Sequence, residues 1–356
     1  HRGQGTGPMS APAASSIAEL RGPILRAVSR SFYLSIRLLP NELRDPIALA
    51  YLLARATDTI ADTAEIDASR RVQELANLAA QVQNRRDVLP PVPTLATERE
   101  SNAKDGDVRK NIPPESAERT LLEAVPTCLE WLRSMPAEDG ADIRDVLLKI
   151  NEGQTLDVQR FADASRLTAL ETSADLIRYT YLVAGCVGEF WTRVCFRHQP
   201  SFSTRGREEM LSLGASYGRG LQLVNILRDS GADLRAGRCY LPAEELRAAG
   251  MSPADIATAP ARALPIVNNW RVRAEEGMAA GIEYACAIRP WRVRLATVLP
   301  ALIGARTLAL LRAAGPGMFE TKVKVRRAEV RRILFKMIAT LASPRAIRAS
   351  FKTLSA

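Results

Sequence analysis

Apolar residues recur at intervals of three and four along almost the whole chain, and runs that alternate apolar with polar residues are scarce. At 3.6 residues per turn, such positions share one face of an α-helix, so the period excludes a chain built mainly of strands. The helix formers Ala, Leu and Arg dominate the same stretches. The pattern predicts helices near 16–29, 41–64, 67–83, 116–134, 139–162, 170–197, 206–232, 243–248, 260–288, 291–314 and 326–342. Residues 84–114, rich in Pro and charge and without apolar period, predict a mobile loop inside one helical domain. Residues 1–15 predict a flexible terminus or tag remnant, 16–342 the all-α domain, and 343–356 a basic tail.

Charge narrows the function classes once it is located. The 356 residues carry 49 Lys+Arg against 39 Asp+Glu, a net +10. From Thr321 onward ten bases stand against the single acid Glu329, so this segment holds +9 and the rest of the chain +1. A neutral body with one cationic segment argues against a general nucleic-acid binder, and no nucleic-acid partner is expected. The five Cys residues are scattered, odd in number and without CxxC spacing, which predicts reduced thiols and a cytoplasmic setting. Only His1 and His198 are available, which leaves no basis for a histidine-built zinc site. No signal peptide is visible, and the longest apolar stretch without charge, Leu295–Ala305, has eleven residues. That length predicts no transmembrane helix, and the basic segment predicts at most peripheral contact with the inner face of a membrane.

Two acidic pairs carry the chemistry. Asp58 and Asp62 are four apart on a predicted helix, one turn from each other on one face. Like charges at that spacing repel, so either water or a divalent cation must offset them. Mg²⁺ suits the second role because it takes one or two carboxylates and leaves other positions to water and phosphate. In the second segment Gln222, Asn225, Asp229 and Asp233 fall within an arc of roughly 80° on a helix otherwise apolar at Leu221, Leu223, Val224, Ile226 and Leu227. A narrow polar stripe on a buried helix reads as a lined cavity, against the alternative of a solvated stripe. Two such helices facing each other would gather Mg²⁺ around a diphosphate, with Arg55 and Arg228 on further phosphate oxygens.

At these residues the chain resembles the squalene/phytoene synthase family of head-to-head prenyl transferases, and within it the bacterial squalene synthases. Ser29, Arg30, Ser31 and Phe32 are similar to its N-terminal block, and Tyr51, Arg55, Asp58 and Asp62 to its first aspartate motif. Tyr179, Val183, Ala184, Gly185 and Gly188 resemble its central tyrosine and glycine block. Gln222, Asn225, Arg228, Asp229 and Asp233 resemble its second aspartate motif, closed by residues 237–242. Ala61 and Ala232 depart from the pattern, standing where many members carry another acid.

The resemblance implies an all-α isoprenoid synthase bundle around a central apolar cavity. It implies Asp58, Asp62, Asp229 and Asp233 as Mg²⁺ ligands and two farnesyl diphosphates as substrates. It further implies Tyr179, Tyr51, Arg55 and Arg228 as catalytic residues. Substrate contacts would come from Ser29, Arg30, Ser31, Phe32, Val183, Ala184, Gly188, Gln222 and Asn225. Lys324 and Arg326, in a segment similar to the basic one of squalene synthases, are implied to bind NADPH together with Asn225. The expected function is therefore a squalene synthase (a farnesyl-diphosphate farnesyltransferase), against a phytoene-, dehydrosqualene- or presqualene-diphosphate-forming relative without reduction. A non-catalytic relative is a remote alternative, since both aspartate pairs and both arginines are present. Asp157, near Gln154 and Arg160, is a candidate supporting carboxylate.

Overall fold

The structure, a computed structural model, describes residues 15–29, 32–63, 66–83 and 114–356. Residues 1–14 and 84–113, which hold the expected loose terminus and loop, lie outside the described residues. A first helical stretch runs through α1 (Ile17–Glu19), a π-turn (Leu20–Ile24) and α2 (Leu25–Ser29). Pro23 sits inside the π-turn, where its missing N–H disturbs the α-helical ladder. Then come α3 (Phe32–Leu38), α4 (Asn41–Asp62), α5 (Ala68–Val82), α6 (Pro114–Glu123), α7 (Val125–Ser134) and α8 (Ala137–Arg160). A short strand, β1 (Thr168–Ala169), leads to α9 (Ser173–Thr180), a π-turn (Tyr181–Gly185) and α10 (Cys186–His198). The chain continues through α11 (Arg207–Arg235), β2 (Arg238–Cys239), α12 (Ala243–Ala248), α13 (Asp255–Thr258), α14 (Pro260–Ala287) and α15 (Trp291–Ala314). A 3₁₀ turn (Gly315–Phe319), an extended piece, α16 (Arg327–Thr340) and α17 (Pro344–Ser355) complete it.

The boundaries depart from the apolar period where local chemistry overrides it. The expected helix 116–134 divides at Ala124, because Pro126 at the second position of α7 cannot donate to a preceding turn. The expected helix at 170 starts instead at Ser173, where Thr172 and Asp175 cap each other's backbone N–H groups. The residues just before it pair in parallel with β2, Thr168 opposite Arg238 and Ala169 opposite Cys239. Residues 344–355, read from sequence as part of a basic tail, form α17, capped by Ser343 and seated through the fully buried Ile347.

Two apolar clusters hold the bundle. One gathers the inner faces of α4 through α8 and of α10, including Leu49, Leu53, Leu132 and Phe190. The other gathers α11 with α14, α15, α16 and α17, including Leu227, Trp270, Met278 and Leu302. The long helix α11 packs against α10, α14 and α15 and so forms a wall common to both halves. Arg193 and Arg197 of α10 tie that helix to α8 through Asp139, Asp142 and Asp145. Residues 291–319 are, among the described residues, long and apolar enough to cross a membrane by length and composition. They pack as a core helix, with Val293, Val298, Leu302 and Leu308 fully buried.

Candidate functional site

The central cavity has a polar end and an apolar end that share the walls Val183, Val187 and Trp191. The polar end encloses about 540 Å³ between α4, α8, α9, α10, α11 and the turn after β2, and Asp58, Asp62, Gln154, Asp157, Tyr179, Asp229 and Tyr240 are in its walls. The apolar end encloses about 260 Å³ among Ile36, Leu39, Ala184, Gly188, Tyr217 and Thr297. The cavity is thus apolar over one part and carboxylate-lined over the other.

On α4, one helical turn separates Asp58 from Asp62, as the spacing predicts. Gln154 of α8 donates an amide hydrogen bond to Asp58, and Arg55 approaches Asp58 at 3.8 Å while pairing with Glu118. Burial pushes the Asp58 carboxyl up from 3.8 to about 6 against the opposing charge of Arg55. Burial likewise raises Asp62 and Asp233. Asp233 of α11 is paired with Arg238 at 2.9 Å. Burial also pulls Asp229 upward, but Arg228 and Lys322 outweigh it and hold the carboxyl below its usual range. The Lys322 Nζ lies 2.9 Å from the Asp229 carboxylate.

Three further groups complete the polar end. Asp157 accepts a 2.8 Å hydrogen bond from the Tyr240 hydroxyl. The Tyr240 ring stacks on that of Tyr179 with centroids 5.4 Å apart and meets Phe161 edge-on. Burial lifts both tyrosine hydroxyls well above their ordinary range, so both stay protonated. Burial also raises Asp157 to about 6, against the Tyr240 hydrogen bond. The folded chain therefore holds this proton more tightly than the unfolded one. The stability contributed by Asp157 is full below about pH 4 and is lost as pH rises through about 6. Asp157→Asn, which keeps an acceptor for Tyr240, should flatten that part of the stability curve and leave the variant at least as stable as wild type at neutral pH. Thermal midpoints measured across this range check it, and an equal loss of stability at every pH would contradict it.

The donor set fits a hard divalent cation. Buried Gln154 leaves its Oε1 without a partner beside Asp58, and oxygen donors from two helices face one space. Among the described residues, no three acidic, His or Cys side chains converge on one metal position. A cation here would take one or two carboxylates per ion and fill its other positions from water and phosphate, as Mg²⁺ does. Arg55 Nε and Arg238 Nε are also buried without partners, which suits them to phosphate oxygens.

The expected substrate residues are placed unevenly. Val183 and Gln222 line the polar end, and Val183, Ala184 and Gly188 line the apolar end. Ser29 is buried with its hydroxyl donating to the Leu25 carbonyl, and Tyr51 lines the polar end with its hydroxyl 3.2 Å from the Val28 carbonyl. Arg30 and Ser31 lie outside the described residues, and Phe32 opens α3. Asn225 is exposed on α11 and lines neither cavity end. Residues 322–326 are extended, with Lys322, Lys324 and Arg326 exposed and Val323 and Val325 half-buried. This is the alternation expected of Lys324 and Arg326. Among the described residues neither of those two is ion-paired, whereas Lys322 reaches the site itself. Gln154, Arg238, Tyr240, Glu118 and Lys322 were not singled out by sequence as site residues; the only signal for Arg238 and Tyr240 was their place in the segment closing the second motif.

A family model described as squalene/phytoene synthase matches residues 25–329. The bifunctional lycopene cyclase/phytoene synthase of Leptosphaeria maculans is 29% identical over 231 residues, covering 64% of this chain and 35% of that protein. The same-named protein of Gibberella fujikuroi is 30% identical over 242 residues, covering 67% of this chain and 37% of its own length. The chain thus spans little more than a third of the curated relatives it matches. Among solved structures, the squalene synthase TcSQS with a bound ligand superposes with a TM-score of 0.72 at 24% identity, covering 94% of this chain and 90% of that one. A dehydrosqualene synthase with a bound ligand gives a TM-score of 0.62 at 20% identity, covering 92% and 99%.

Proposed function

We infer the function from the premise that this chain belongs to the squalene/phytoene synthase family, whose enzymes join two prenyl diphosphates head to head. The reading proposed is a squalene synthase: two farnesyl diphosphates condense to presqualene diphosphate, which is then reduced to squalene. The observation that carries the condensation is the single cavity with carboxylates and unpartnered arginine nitrogens at one end and apolar walls at the other. A diphosphate and a prenyl chain need those two environments side by side.

Asp58, Asp62, Asp229 and Asp233 would hold Mg²⁺ on the diphosphate, and the metal would supply charge neutralisation to the leaving group. Arg55, Arg228 and Arg238 bind phosphate oxygens and orient the leaving group toward the carboxylates. The stacked rings of Tyr179 and Tyr240 present π-faces to positive charge developing on the allyl group. Val183, Val187 and Trp191, where the two ends meet, keep water from that charge.

The reductive step is supported by the extended basic segment. Lys322 anchors it against Asp229, while Lys324 and Arg326 have no ion-pair partner among the described residues and are suited to a phosphate-bearing cofactor. NADPH would supply the hydride. A second reading, phytoene or dehydrosqualene formation without reduction, is favoured by the phytoene synthase names of the curated relatives. Incubating the protein with farnesyl diphosphate and Mg²⁺, with and without NADPH, separates the two. Squalene appearing only with NADPH is expected, and dehydrosqualene or an unreduced alcohol despite NADPH would sink the reading. Lys324→Ala and Arg326→Ala should leave presqualene diphosphate formation within about twofold and slow its reduction by about tenfold or more, as expected for losing a charged phosphate contact. Equal loss in both half-reactions would exclude a cofactor role for this segment.

A further inference from the structure

The outer face of α16 carries the most exposed large apolar side chain among the described residues, Phe335 at 71%, together with Ile338 at 57%. The opposite face of that helix is buried through Ile333, Met337 and Leu341. Exposed Arg331, Arg332 and Lys336 surround the apolar pair. An amphipathic helix with bases beside bulky apolar groups suits the boundary between anionic headgroups and acyl chains.

The position of this face relative to the cavity follows from two contacts. Arg306 of α15 pairs with Glu329 of α16 at 2.7 Å, and Arg294 of α15 donates to the Leu341 carbonyl at 2.9 Å. These contacts lie twelve residues apart on each helix, so α16 runs antiparallel along α15 in a fixed register. That register sets Phe335 level with Pro300 and Ile338 level with Thr297, both of which line the apolar end of the cavity. Pro300 is itself exposed, so the cavity opens there. At 100° per residue, half-exposed Leu299, Ile303 and Ala296 follow one another round α15 from Arg306 to Pro300.

We propose that this face docks on an anionic lipid bilayer. Phe335 and Ile338 enter the interface, Arg331, Arg332 and Lys336 meet headgroup phosphates, and the mouth beside Pro300 opens toward the hydrocarbon. Charge complementarity selects this occupant. Nucleic acid would not cover protruding apolar groups, and a second copy would bring the same bases against each other. The passage of an apolar chain through that mouth rests on the function proposed above; the docking surface itself does not.

Sedimentation of the full chain with vesicles of phosphatidylcholine, with or without phosphatidylglycerol, tests the proposal. Binding to the anionic vesicles should be tighter by about tenfold or more. The double variant F335S/I338S and the triple variant R331Q/R332Q/K336Q should each lose about tenfold of that binding, while keeping condensation activity in detergent micelles. Equal binding to both vesicle types, or unchanged binding by either variant, overturns the proposal. So does a wild-type dimer in light scattering that F335S/I338S dissolves, since a second copy would then cover the face. Vesicle binding without any prenyl product would leave docking intact and remove the functional reading, whereas turnover without vesicle binding would do the reverse.

Discussion

Replacing Asp58 by Asn should abolish condensation, lowering turnover by on the order of 10³-fold or more, while leaving the fold intact. On the proposed function, the loss follows from removing one of the carboxylate charges that would hold a diphosphate-bound cation. The intact fold follows from the state of the residue. Burial lifts Asp58 to about 6, so its charge at neutral pH is a burden on the folded chain. Its side chain is nearly half exposed to the cavity, at 47%, and solvent there tempers the burden. Asn keeps an oxygen for the Gln154 amide. Thermal unfolding should therefore begin no earlier than in wild type. Asp229→Asn should cost as much turnover but some stability, because Arg228 and Lys322 lose the carboxylate that holds them. Product analysis with farnesyl diphosphate checks both variants, and turnover near wild type in either would reject the carboxylate assignment.

Gly188→Ala carries the largest expected effect on stability. A Cβ at Gly188 would lie 1.9 Å from the Gly214 carbonyl oxygen and 2.4 Å from its carbon. Both obstacles are backbone, so no side chain can swing aside. The helices α10 and α11 must separate, and α11 is the wall that both apolar clusters share. Overpacking commonly costs 1–3 kcal/mol, and a backbone clash in a helix contact should cost about 3 kcal/mol or more. Chemical denaturation measures it. A loss under about 1 kcal/mol would mean that the helices stand farther apart than this contact implies.

The sequence made the acidic pairs legible because four-residue spacing on a helix is itself a geometry. Asp58 with Asp62, and Asp229 with Asp233, needed only the helical period to share a face, and the alternation of Lys324 and Arg326 needed only extended backbone. The groups that complete the site do not obey a local spacing. Gln154 reaches Asp58 across 96 residues, Arg55 reaches Glu118 across 63, and Tyr240 reaches Asp157 across 83. Tertiary packing alone brings them together. The helix α17 is legible by the same helical period. Ile347, Phe351 and Leu354 recur at helical spacing, but the bases between them read as a solvated tail. The Asn225 side chain shows the converse: it shares the polar arc with Gln222 and Asp229, yet it is exposed and does not line the polar end.

The glycine contact between α10 and α11 also divides the bore into a rigid side and a tunable side. Ala184, Gly188, Gly214 and Gly218 bound the apolar end, and at Gly188, Gly214 and Gly218 an added carbon would strike backbone. At those three glycines nothing can be trimmed and little can be added, whereas Val187, Trp191, Tyr217 and Leu221 on the same two helices are replaceable. The opposing side, from Ser35, Ile36 and Leu39 on α3 to Thr297 and Pro300 on α15, is made of replaceable side chains. Any change in the length or width of this bore must therefore be written on the side chains around the α10–α11 glycine seam, which stands as its fixed ruler.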